Sequence, residues 1–229
     1  MTDHTAHSHP EMIALLEGVQ DFGNRVFPEK RALFDALAAG QSPHTLLITC
    51  ADSRVSPTLI TQQPPGEMFV LRNIGNIVPA YGEMLGGVSA AVEYAVLALG
   101  VKHIVVCGHS DCGAMKAMLD PERNGLQGMP TVASWLRNAD TARAVSAALH
   151  PDLDGDAAVT ALAEQNVLLQ LDHLRTHPAV ATRLAEGRLM LMGWLYDIAT
   201  GQVRVFDGET RAPRTIGAAI AGLRDAAER

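Results

Sequence analysis

The sequence predicts an α/β protein: a mostly parallel central sheet flanked by helices, preceded by an N-terminal helical arm. Short apolar, β-branched runs, HTLLIT at 44–49 and KHIVVC at 102–107, alternate with helical patterns. That alternation is the signature of a parallel sheet with helical crossovers. Ahead of the first run, apolar residues recur at helical spacing over residues 11–39.

The elements follow in order. Residues 1–10 are polar and hold His4, His7 and His9, which read as a tail rather than a metal site. In the arm, Ile13, Leu15, Leu16, Val19 and Phe22 mark one helix and Phe27, Leu33, Phe34 and Leu37 a second. Pro28 suits the start of that second helix and Gly40 its end. The arm could pack on a partner subunit as readily as on its own domain. The 44–49 strand is followed by a second at 67–71, an Ala-rich helix at 87–99 and the third strand at 102–107. The turn GHSDCG and a helix from Ala114 come next. Residues 120–155 are polar, with one short helical segment, TVASWLRNAD. Helices at 157–175 and 180–186 lead to two strands, 188–197 and 203–207, joined by a turn at Thr200 and Gly201. A last helix starts near Ile216. No repeat or linker interrupts the pattern, so one domain is expected over residues 1–229, with 1–40 as tail and arm. Aromatics are only 4% of the chain, so Ala, Val and Leu must fill most of the core.

Several function classes are disfavoured. The net charge is −7 and no basic run is present, which argues against a nucleic-acid partner. The most apolar stretch, 88–106, is broken by Glu93, Lys102 and His103 and is too polar to span a membrane. The N-terminus MTDHTAHSHP lacks an apolar signal core. Cys50, Cys107 and Cys112 are an odd, small set that fits a reducing cytoplasm rather than a disulfide framework.

Chemistry concentrates in two turns, each after a predicted parallel strand: Cys50-Ala51-Asp52-Ser53-Arg54 and His109-Ser110-Asp111-Cys112. Sites in open parallel sheets form beyond the carboxyl ends of strands. Two thiolates and an imidazole suit zinc and leave a fourth tetrahedral position open, as in catalytic sites. Cys107 ends an apolar strand and reads as a core residue. Spacing alone leaves a second reading, a buried cysteine and two loop residues. Asp52 and Arg54 beside Cys50 strengthen the metal reading, since the arginine can keep the carboxylate ionised. A surface ion pair is the plainer alternative.

The segments CADSR, PGEMFVLRNIGN, EYAV and HIVVCGHSDCGAM, with the later EQNVLLQL, LRTHPAV and GWLYD, resemble the β-class carbonic anhydrases. Within that class the chain looks closest to the bacterial members that accompany cyanase. The resemblance runs from Gln41 to about Gly208. It implies one zinc per chain on Cys50, His109 and Cys112, and a catalytic dyad of Asp52 and Arg54. It implies substrate binding by Gln41 and an apolar pocket of Phe69, Ile74 and Tyr94, with Gly113 giving a close backbone approach. It also implies a homodimer or homotetramer with the site at the subunit interface. The implied reaction is reversible hydration of carbon dioxide to bicarbonate and a proton, by attack of zinc-bound hydroxide. His103 and buffer are the candidates for carrying that proton away.

Some relatives close their site by binding bicarbonate to a Trp, an Arg and a Tyr. Arg72 and Tyr196 match the last two, but the Trp position is Leu47. The expectation is an enzyme in which Asp52 stays on Arg54. A hydrolase of carbonyl sulfide or carbon disulfide could use the same residues. A non-catalytic relative would be expected to lack one of the five key residues, and all five are present.

Overall fold

The computed structural model describes residues 9–83 and 85–228, so His4 and His7 lie outside the described residues. The chain divides into two compact units, residues 1–41 and 42–229.

In the first unit, α1 (Pro10–Asp21) runs through a π-helical turn (Phe22–Val26) into α2 (Phe27–Glu29) and then α3 (Arg31–Ala38). The expected helix start at Pro28 is corrected: Val26 and Phe27 are already helical, so Pro28 lies inside the continuous run just after the π turn, and the break falls at Lys30 (φ −106, ψ 21), ahead of α3. The rings of Phe27 and Phe34 stack at 4.9 Å and Phe22 meets both edge-on. None of these helices contains a buried residue, and Leu15 and Val19 are 65% and 68% exposed.

The second unit holds strands β1 (Thr45–Cys50), β2 (Met68–Asn73), β3 (His103–His109), β4 (Met190–Tyr196), β5 (Val203–Asp207) and β6 (Pro213–Arg214). Their order across the sheet is β2-β1-β3-β4-β5-β6. The first four are mutually parallel, and β5 and β6 are antiparallel additions. Its helices are α4 (Pro57–Thr61), α5 (Gly87–Glu93), α6 (Gly113–Leu119), α7 (Pro130–Leu136), α8 (Asp140–Leu149), α9 (Gly155–Thr176), α10 (Pro178–Ala185) and α11 (Ile216–Ala227). The mostly parallel sheet flanked by helices, with a helical N-terminal region, is the architecture the sequence predicts.

The structure corrects two further local expectations. Residues 120–155 hold two helices, α7 and α8, where one short segment was expected. Their pattern is masked because the apolar face of α8 is built from Ala142 and small neighbours. The short α4 was not anticipated; Pro57 opens it and Gln62 in left-handed conformation ends it.

Strand alternation divides the core. Leu46, Ile48, Ile104, Val106, Leu191 and Leu195 face the main cluster with α9. Leu47, Val105 and Cys107 face the other way, with Met68, Met192, Trp194 and Tyr196 packed around them. Burial pushes the Cys107 thiol up to about 12, so it stays neutral and apolar there, as a core residue should.

Two glycines let α9 settle on the sheet. A Cβ on Gly108 would lie 2.7 Å from Val167 Cγ2, and one on Gly193 would lie 2.7 Å from Val167 Cγ1. Polar side chains on α9 then hold the segment after β2. Asn166 donates to the Gly75 carbonyl (2.9 Å), Gln170 donates to Asn166 (2.8 Å) and accepts from the Val78 N–H (2.8 Å). Asn166 and Gln170 are 1% and 0% exposed, and their pairing removes the cost of burying them. Gly75 has φ +74 and a Cβ there would stand 3.1 Å from Ala114, so only glycine suits this bend.

Gly193→Ala is therefore expected to destabilise the fold by about 1–3 kcal/mol through overpacking. In urea unfolding, combining it with Val167→Ala should cost less than the two single losses summed, by about 0.5 kcal/mol or more. Strict additivity would contradict the close contact.

Candidate metal centre

Cys50 is the last residue of β1 and His109 the last of β3. These strands are adjacent and parallel, so both side chains emerge at the same carboxyl edge. After His109 the chain turns through Ser110 and Asp111, which has φ +58, a conformation aspartate tolerates better than most residues. Cys112 then caps α6. The turn is anchored to β4: the Ser110 N–H donates to the Tyr196 carbonyl (2.9 Å) and the Ser110 hydroxyl accepts from the Ile198 N–H (3.0 Å). The turn after β1 is held in the same manner. The Ala51 N–H donates to the Asn73 carbonyl (2.8 Å), and Arg72 donates to the carbonyls of Cys50 (3.1 Å) and Asp52 (2.7 Å).

The two turns bring together what the sequence placed apart. The sulfurs of Cys50 and Cys112 and a ring nitrogen of His109 all lie within 4.8 Å of one another, and all three residues are buried. The His109 Nδ1 lies 2.8 Å from the Ser110 carbonyl. A carbonyl only accepts, so Nδ1 carries the proton and Nε2 is left with a lone pair. Nε2 is buried and makes no geometric hydrogen bond among the described residues, but the Cys50 sulfur beside it outweighs the burial penalty and raises the imidazole pKa. The closeness of the two sulfurs lowers the Cys50 thiol and pushes the Cys112 thiol well above its ordinary value. The pair therefore keeps one proton, which a bound dication would displace. Zinc bond lengths of about 2.1–2.3 Å put tetrahedral ligand atoms about 3.7 Å apart, within a small adjustment of the spacing found. An oriented imidazole and two thiols brought this close fit a metal ion.

Asp52 and Arg54 stand at the mouth of this cluster. Arg54 donates from Nε to one Asp52 oxygen (2.9 Å) and from Nη2 to the other (2.7 Å), a two-pronged pair. The Arg54 side chain and its own N–H, 3.0 Å from Asp52 Oδ1, hold the carboxyl far below the usual carboxylate range. One Asp52 oxygen is 3.9 Å from His109 Nε2.

The remaining predicted residues are placed as follows. The Phe69 and Tyr94 rings lie 6.0 Å apart. Ile74 and Tyr94 are 44% and 49% exposed, so about half of each is left open. A Cβ at Gly113 would meet nothing within 4 Å, so the space beside it is open. Gln41 ends the first unit. His103, a candidate for proton transfer, starts β3 while His109 ends it. The two are about 20 Å apart along the strand, which removes His103 from the site.

Sequence reasoning passed over three contributors. Asp111 and Lys116 join Arg54 in an ion network, and Asn166 fixes the Gly75 bend. Asp111 lay inside the quoted GHSDCG turn, but its partner is given only by the fold.

A family model described as carbonic anhydrase matches residues 45–203. The chain is 51% identical over 197 residues to the carbonic anhydrase of Pseudomonas aeruginosa, covering 86% of this chain and 88% of that protein. It is 52% identical over 201 residues to carbonic anhydrase 1 of Escherichia coli O157:H7, covering 87% and 90%. The solved β-carbonic anhydrase CcaA superposes with a TM-score of 0.86 at 43% identity, over 90% of this chain and 92% of that one. One of two tetrameric β-carbonic anhydrases of the fungus Sordaria macrospora gives 0.78 at 31% identity, over 90% and 100%. The chain belongs to the β-class carbonic anhydrases and is an enzyme of carbon dioxide hydration.

Proposed function

We propose that this chain is a zinc enzyme interconverting carbon dioxide and bicarbonate, with Cys50, His109 and Cys112 holding one zinc ion. The observation that carries the reading is the buried, oriented Nε2 of His109 beside the sulfurs of Cys50 and Cys112. Bound zinc supplies the Lewis acidity that makes water a nucleophile, less strongly beside two thiolates than beside three neutral imidazoles.

The chain's own residues do the rest. Asp52, kept anionic by Arg54, accepts a hydrogen bond from the attacking water and aims its lone pair. Phe69, Ile74 and Tyr94 offer carbon dioxide, which has no charge, an apolar wall that excludes competing water. The Gln41 amide donates to a substrate oxygen. Leu47, 3% exposed among Val105 and Cys107, offers no donor to a buried anion. That supports an enzyme in which Asp52 remains on Arg54.

We also infer a homodimer or larger homo-oligomer, with the substrate pocket completed at the interface. The exposed apolar residues of α1, the half-exposed Ile74 and Tyr94 and the tetrameric relatives support it. No helix among the described residues is long and apolar enough to cross a membrane, and three buried free cysteines support a reducing cytoplasm as the setting.

Stopped-flow hydration with zinc content measured on the same sample tests the assignment. Wild type should contain one zinc per chain and hydrate carbon dioxide, and Cys112→Ser should lose zinc and activity together. A serine variant with stoichiometric zinc and full rate would overturn the ligand set. Asp52→Asn should keep its zinc and lose hydration rate by about a hundredfold or more; near wild-type rates would remove Asp52 from the mechanism. Light scattering should give a mass that is a multiple of the 24.4 kDa chain, and a monomer that is fully active would refute the shared pocket.

A further inference from the structure

We propose that Asp111 is a positioning residue, which holds the Arg54 guanidinium, and through it the Asp52 carboxylate, across the gap between the two cysteine-bearing turns. The inference rests on the reading of this site as a carbonic anhydrase centre. Arg54 uses one edge for Asp52, as described above. Its remaining Nη1 donates to Asp111 Oδ2 at 2.6 Å, and Nη2 also reaches the Asp111 carbonyl at 3.1 Å. The other Asp111 oxygen pairs with Lys116 of α6. Arg54 thus bridges two carboxylates, one from each turn, and a lysine on a helix pins the second.

The consequence is geometric. Asp52 and Arg54 sit two residues apart on one turn, so their pair could swing as a unit. The link to Asp111 ties that unit to the turn between His109 and Cys112. The Arg54 and Asp111 side chains are 44% and 41% exposed, and an isolated pair at such a surface adds little to folding stability. The effect falls on orientation instead, where a misplacement of about 1 Å can cost on the order of a hundredfold in rate.

Asp111 has a competing explanation, because its φ of +58 suits aspartate for the turn alone. Two substitutions separate the roles. Asp111→Gly keeps the left-handed turn without strain and removes the carboxylate. Asp111→Asn keeps both the turn and a neutral acceptor for Arg54. The zinc-loaded enzymes would be compared by stopped-flow hydration, by zinc release to a chromophoric chelator and by melting temperature. Asp111→Gly is expected to lower kcat about ten- to hundredfold and to speed zinc release by a similar factor. KM and the melting temperature should change little, and Asp111→Asn should recover part of both losses. Unchanged kcat or unchanged zinc release in Asp111→Gly overturns the proposal. So does a loss that Asp111→Asn does not relieve and that tracks a fall in melting temperature, because the residue then serves only the fold. If the wild-type zinc protein does not hydrate carbon dioxide, the functional reading fails, while zinc release still decides the role of Asp111.

Discussion

The parallel pairing of β1 with β3 is the constraint on which the rest of the structure depends. It aligns Thr45 with His103 and Thr49 with Cys107, so both strands end at the same edge of the sheet. Cys50 and His109 then meet without any contact between neighbouring residues in sequence. A shift of one residue in either strand would turn its terminal side chain to the opposite face. The register is protected by burial: Leu46, Ile48, Ile104 and Val106 are each 0% exposed and would all be misdirected by such a slip. The apolar core therefore does the aiming for the polar site.

The helix α9 extends this control to the second wall of the site. It approaches closely because Gly108 and Gly193 leave room for Val167. From that position its buried amides reach the segment after β2 and fix the bend at Gly75. The Trp135 indole adds a bond to the Ile74 carbonyl at 2.8 Å. Packing of a long helix is thereby converted into the placement of a pocket residue.

The site itself is layered by solvent exposure. Its floor, Cys50, His109 and Cys112, is 0–5% exposed, and there unpaired polar atoms are costly. Its rim, Asp52, Arg54, Asp111 and Lys116, is ion-paired and more open to water. Floor groups can hold a cation tightly because they have no better partner. Rim groups, whose pairs are screened, can orient a reacting molecule without contributing much to folding.

Much of this was legible in the sequence because the relevant signals are local. The apolar runs that became β1 and β3 and the residues of the CADSR and GHSDCG turns are all short-range patterns. The alternation of strands and helices specified a mostly parallel sheet, and its carboxyl-edge rule suggested that the two turns would converge. Where local pattern was weak the reading weakened too: α8, built on alanines and flanked by polar residues, was not distinguished from loop. Tertiary structure alone decided which long-range partners each residue found. It gave Arg54 a second carboxylate in Asp111 and placed Asn166 behind Gly75. Such pairings depend on strand order, register and helix approach, which arise from burial summed over the whole core rather than from any one stretch of chain.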